Sequence, residues 1–168
     1  MKLLTYSSTK IEHSNAYGAG HLTAIMYLAP AQVSGKNVCA WYTPGCSTAC
    51  LNTAGRGRFT AVQNARIART RLFYEDRDAF RAQLNSEIAA HVRKAQRASL
   101  RPAVRLNGTS DLLWERIFPD IFDTFDIQYY DYTKYPLRFR DKRPANYHLT
   151  FSRAETQENH IEAFKWLL

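Results

Sequence analysis

Apolar and polar positions alternate along the chain in two rhythms. The run "HLTAIMYLAP", residues 21–30, is apolar and rich in branched side chains, which predicts a strand closed by Pro30. A four-residue rhythm follows. Val62, Ala65, Ala68 and Leu72 keep helical spacing over 61–73, and Phe80, Leu84, Ile88 and Val92 keep it over 76–98. Two helices are expected, with Asp76 or Asp78 placed to cap the second. After Pro102, "AVRLNGTSD" reads as a short buried strand ending in a polar turn that contains glycine. "LLWERIFPDIFDTF" predicts a helix that breaks at Pro119 and restarts there, because proline suits a first helical turn. "IQYYDYT" (127–133) and "YHLTFSR" (147–153) are two more strands, joined by the basic loop "KYPLRFRDKRPAN", and "ETQENHIEAFKWLL" predicts a last helix.

Strands that alternate with helices imply an α/β architecture, since each crossover must return the chain to begin the next parallel strand. The expectation is a partial, half TIM-barrel-like parallel sheet of about four strand–helix units, in one domain over 1–168. Such a chain is either an open sheet that pairs with a partner or the N-terminal part of a longer barrel.

Composition adds a partner class and a compartment. At 168 residues and 45% hydrophobic, the chain can bury one core. Its net charge of +8 favours anionic partners, whether nucleic acid or small molecules bearing phosphate or carboxylate. The opening "MKLLTYSSTK" turns polar after four residues and lacks the apolar core of a signal peptide, and no stretch has the length of a membrane span. A reducing cytoplasm is therefore expected. There, clustered cysteines are more often metal ligands or redox groups than disulfides.

All three cysteines lie in "NVCAWYTPGCSTACLNTAGRG", residues 37–57, spaced C-x6-C-x3-C. Three thiolates are one too few for a closed tetrahedral zinc site but suit an iron–sulfur cluster with one open iron. Zinc is the alternative, with His13 or His21 as fourth ligand, and three free thiols are the plainest outcome.

"CAWYTPGCSTACLNTAGRG", "RPAVRLNGTSDLLWE", "YYDYTK" and "NYHLTFSR" together resemble the bacteriophage family called gene product 88, over about residues 20–155. That family in turn resembles phage proteins with the same cysteine spacing that are similar to radical S-adenosylmethionine enzymes. The resemblance implies a full or partial barrel with a 4Fe-4S cluster on the loop after its first strand. Cys39, Cys46 and Cys50 would each ligate one iron, leaving the fourth for S-adenosylmethionine. It also implies that "NGTSD" holds the cofactor's amino group, with Asn107, Thr109 and Asp111 as the available side chains. The compartment would then be the cytoplasm of the infected host cell.

Independently of any family, "CAWYTPGC", "NGTSD", "DYTK" and "SRAE" each follow an apolar strand, and in parallel α/β folds the carboxyl ends of the strands form the ligand face. That convergence nominates Asp111, Asp131, Lys134, Ser152 and Arg153 as a site lining. "AGRGRF" (54–59) alternates two glycines with two arginines at a helix start, as a phosphate cradle or a flexible basic turn. "RFRDKRP" (138–144) mixes charge with an aromatic ring, as single-stranded nucleic-acid sites do, but a solvated surface loop is the simpler expectation. Asp111 and Glu115, four apart, are expected on one helix face in salt bridges to the arginine-rich helices. The five histidines are dispersed, and no serine–histidine–acid set, phosphate-binding glycine loop or paired-histidine metal site occurs. The rival to a cluster protein is a basic binding module with zinc-bound or free cysteines, acting on nucleic acid or on a host or phage protein.

Overall fold

The computed structural model describes residues 1–6 and 20–155. The helix expected at the C-terminal end, from 156 onward, lies outside them, as do His13 and His160. The elements in chain order are β1 (Leu4–Thr5), β2 (His21–Met26), α1 (Pro44–Thr48), a 3-10 turn (Gly55–Arg58), α2 (Thr60–Glu75) and α3 (Arg77–Arg97). Then come β3 (Arg101–Arg105), α4 (Trp114–Ile117), α5 (Asp120–Thr124), β4 (Gln128–Thr133), a second 3-10 turn (Pro136–Phe139) and β5 (Tyr147–Phe151).

The strands form one five-stranded sheet in the order β1-β2-β3-β4-β5. β2 to β5 are parallel, with His21 opposite Arg101, Ala103 opposite Gln128 and Tyr129 opposite Tyr147. The mainly parallel α/β sheet is thus present. Among the described residues it carries four parallel strands and a fifth, β1, in which Leu4 and Thr5 pair antiparallel with Met26 and Ile25. Two residues of strand are too few to show a period, so β1 left no trace in the hydropathy pattern. Its amides are held from outside the sheet: the Glu87 carboxylate accepts from Leu3 N at 2.8 Å and from Leu4 N at 2.8 Å.

Helix α3 packs on β2 and β3, and α2 packs against α3. The Asp76 side chain accepts from Ala79 N at 2.9 Å and caps α3, whose buried stripe is Phe80, Leu84, Ile88, His91 and Ala95. His91 joins two strands from that helix: its Nε2 lies 3.0 Å from Leu22 O and 3.2 Å from Ala103 O. Burial lowers its pKa and keeps the ring neutral. Phe73, Phe80, Trp114 and Phe118 pack ring on ring between the helices, with centroids 5.3–6.4 Å apart.

The helix expected over "LLWERIFPDIFDTF" breaks at Pro119 and restarts after it, as α4 and α5, since proline offers no N–H to the preceding turn. On α2, by contrast, the buried face differs from the expected one. Arg66, Thr70 and Phe73 are buried there, while Ala68 is exposed, because two polar side chains of this helix serve the loops around the cysteines. No described helix is long and apolar enough to cross a membrane.

Candidate functional site

The carboxyl ends of the parallel strands open onto one cavity of about 280 Å³. Its wall combines the cysteine loop (Cys39, Cys46, Cys50) with the turn after β3 (Asn107 to Asp111) and with Lys134 and Ser152 after β4 and β5. Tyr42, Leu51 and Tyr132, three large side chains left 41–51% exposed, also line it.

The loop is shaped by local chemistry. Pro44 occupies the first turn of α1, and Thr43 Oγ1 accepts from Cys46 N at 3.3 Å. That hydroxyl donates onward to Glu155 Oε2 at 2.6 Å, and Glu155 Oε1 accepts from Gly45 N at 2.8 Å. The segment after β5 therefore clasps the start of α1. A Cβ at Gly45 would meet the Glu155 carboxylate at 2.9 Å. Trp41 stacks on Tyr135 with ring centroids 4.0 Å apart, tying the loop to the segment after β4.

Beyond Cys50, Asn52 N donates to the Cys50 sulfur at 3.5 Å. Asn52 is held by Gln63, which donates to its carbonyl at 2.6 Å, and by buried Arg66, which donates to its side chain. Arg66 also lies over the Tyr27 ring at 5.2 Å. Thr70 Oγ1, from the same helix, accepts from Ala29 N at 2.9 Å before the loop. The two polar residues on the buried face of α2 thus fix both ends of the cysteine segment. Gly57 in "AGRGRF" is a close-approach glycine, since a Cβ there would meet the Asn52 and Leu51 carbonyls at 2.7 Å. Arg56 and Arg58 beside it are exposed.

Cys39 is the most enclosed thiol. Its Sγ donates to Thr109 O at 3.5 Å, and burial, with smaller contributions from Asp111, Cys50 and Cys46, pushes its pKa up to about 11. Among the described residues no three His, Cys, Asp or Glu side chains form a compact ligand group for a single ion. His21 opens β2, five residues before its end at Met26, which puts it roughly 17 Å down the sheet from the cysteine face and corrects its candidacy as a fourth zinc ligand.

The turn after β3 is a satisfied polar network. Asn107 Oδ1 accepts from Ser110 Oγ, Leu112 N and Trp114 Nε1 at 2.8, 3.0 and 2.9 Å. Its own N–H donates to Asp131 Oδ1 at 2.7 Å. Asp131 is fully buried on β4 and also accepts from Tyr147 Oη at 2.7 Å. Burial raises its pKa to about 6 against the opposing pull of those donors and of Arg105 and Arg138. Gly108 is required by space: a Cβ there would meet Met26 O at 2.5 Å.

Asp111 Oδ2 accepts from Lys134 N at 2.9 Å, and burial raises its pKa although Lys134, Thr133 and Arg138 oppose the shift. Asp111 precedes α4 rather than lying on it, so the shared helix face with Glu115 is corrected. Both carboxylates instead meet Arg138, whose Nε and Nη2 donate to the two Glu115 oxygens at 2.7 and 2.6 Å and whose Nη1 lies 3.5 Å from Asp111. Burial alone would lower the Arg138 pKa, but the Glu115 bonds and the neighbouring acids raise it overall. The loop "RFRDKRP" therefore turns one arginine inward, 1% exposed, and is not wholly a solvated face.

A model of the phage gene product 88 family matches residues 1–165. The chain belongs to that family. No curated protein and no solved structure matches it. In this gene product 88 protein the three cysteines share a cavity with Asn107, Thr109, Asp111, Lys134 and Ser152 of the expected lining. Asp131 stands beneath the wall as a buried support. Arg153 meets the site through its backbone, its carbonyl accepting from Lys134 Nζ at 2.6 Å. Arg105 and Arg66 carry no mark in the sequence, because an arginine in a strand or helix shows no sign of burial until its partners are known, and Arg138 stands out there only as part of a basic loop.

Proposed function

We propose that this gene product 88 protein holds an iron–sulfur cluster in the cavity, with Cys39, Cys46 and Cys50 as ligands and one iron open to S-adenosylmethionine. The observation that carries this reading is the convergence of three loop thiols on one cavity at the carboxyl ends of parallel strands. The chemistry of the donors supports it: the sulfurs are soft, and Arg66 and Arg105 place positive charge beside the cavity wall, which would offset the negative charge of a thiolate-bound cluster. When bound, such a cluster supplies one-electron chemistry to a ligand on its open iron.

The chain's own residues do the rest. Cys39 is a neutral thiol until it is ligated, so loading releases its proton. Glu155 and Thr43 orient Cys46 through α1, and Asn52 orients Cys50. Asn107 and Asp131 hold the β3 turn as the opposite wall. On this reading β2 to β5 are half of a TIM-like barrel within a single domain.

Anaerobic purification with iron and sulfide analysis and an absorption spectrum tests the proposal, on the intact protein and on Cys46→Ala. About four iron and four sulfide per chain, with a band near roughly 400 nm that the variant loses, is the expected result. Zinc or no metal in both overturns it and directs the search to a nucleic-acid or protein partner.

A further inference from the structure

Three buried arginines stand near the site; Arg66 is bound to Asn52, and the other two are used differently. Arg138 is closed: its fork is taken up by Glu115, Tyr147 and Asp111. Arg105, the last residue of β3, lines the cavity with its side chain 8% exposed. Its Nε donates to Asn107 O at 3.1 Å, and the Tyr132 ring lies 4.7 Å from the guanidinium carbon. The nearest acid, Asp131, is 3.9 Å from that same Nε, beyond hydrogen-bond reach. Both Asp131 oxygens already accept from Asn107 and Tyr147. The two terminal nitrogens of Arg105 have no hydrogen-bond acceptor among the described residues.

A guanidinium on a cavity wall whose terminal nitrogens have no protein acceptor is available to a bidentate partner that enters the cavity. Carboxylates and phosphates present paired oxygens that match its fork. We propose that Arg105 is the anchor for a carboxylate or phosphate group of a small ligand that enters this cavity. Lys134 adds a second positive charge on the same wall, its Nζ steered by Arg153 O and Ser152 Oγ. The side chains of Thr109 and Ser110 donate elsewhere, to Leu28 O and Asn107 Oδ1, so Arg105 is the main side-chain donor to the oxyanion. The exposed rings of Tyr42 and Tyr132 flank the mouth and would receive the apolar part of the same ligand.

This anchor rests on the cavity being a ligand site but not on a metal being there. The test is therefore run on metal-free protein, and the iron content of the intact protein is a separate result. Inorganic phosphate and malonate are titrated at constant ionic strength against the unaltered protein, R105K and R97K, with thermal unfolding as the readout. R105K keeps the charge and loses the fork; Arg97 is an exposed arginine at the end of α3. Saturable stabilisation that weakens about tenfold in R105K and not in R97K is expected, and the stronger of the two probes identifies the oxyanion. No saturable response, or equal responses in all three proteins, overturns the proposal. Should R105K fail to fold, amide spectra of the unaltered protein decide. Shifts on phosphate or malonate addition centred on Gly108, Thr109 and Ser110 support the anchor, and shifts spread over surface basic residues overturn it.

Discussion

Asn107 has every polar atom of its side chain engaged, and this makes it a support rather than a ligand donor. Replacing it with alanine leaves the Trp114 indole N–H, the Ser110 hydroxyl and the Leu112 amide without their acceptor. Each orphaned buried group costs about 1–3 kcal/mol, so N107A should lose roughly 3 kcal/mol or more in urea unfolding. Asp131 gives a pH signature. Its folded pKa, about 6, exceeds its ordinary value of 3.8, so the folded state binds the proton more tightly. Stability from this group is full below about 3.8 and is lost as pH rises through about 6. D131N should flatten that fall, which one proton limits to about 1.4 kcal/mol per pH unit, in unfolding curves taken across the window. Both residues were legible in the sequence as polar groups at strand ends. Which of their lone pairs were taken up was not, because Trp114 reaches Asn107 only through the turn that follows it and Tyr147 reaches Asp131 from the neighbouring strand.

At the scale of elements, the long periodic segments were legible and the short ones were not. Helices α2 and α3 lie within two residues of their expected limits, whereas α1, at five residues, is too short for a hydrophobic period. It owes its existence to Thr43, Pro44 and the clasp from Glu155. E155A should speed hydrogen exchange at Gly45 and Cys46 while leaving α3 protected, read by peptide-resolved mass spectrometry. The Thr43 hydroxyl and the Gly45 amide hold the Glu155 carboxyl below its ordinary range, so the clasp persists above that range and weakens as pH falls through the lowered value. Gly108 joins two elements by contact. G108A would force the β3 turn away from Met26 and should lower the unfolding midpoint by the equivalent of about 2 kcal/mol or more.

Over the whole molecule, strand order explains why one cavity gathers residues from so much of the chain. Each parallel strand is laid beside its predecessor, so the turns after β2, β3, β4 and β5 fall in a row on one side. The alternation of strand and helix made that row legible. The antiparallel β1 was not, and it alters what can be joined to the sheet. It lies along the outer edge of β2, latched by Glu87. Loosening the latch with E87A should bare that edge and produce concentration-dependent association in sedimentation velocity. A sheet with β1 in place behaves like a zip with a stop at one end. Among the described residues the edge beyond β5 carries no such stop, so a further strand, from this chain or another, would be joined more readily there.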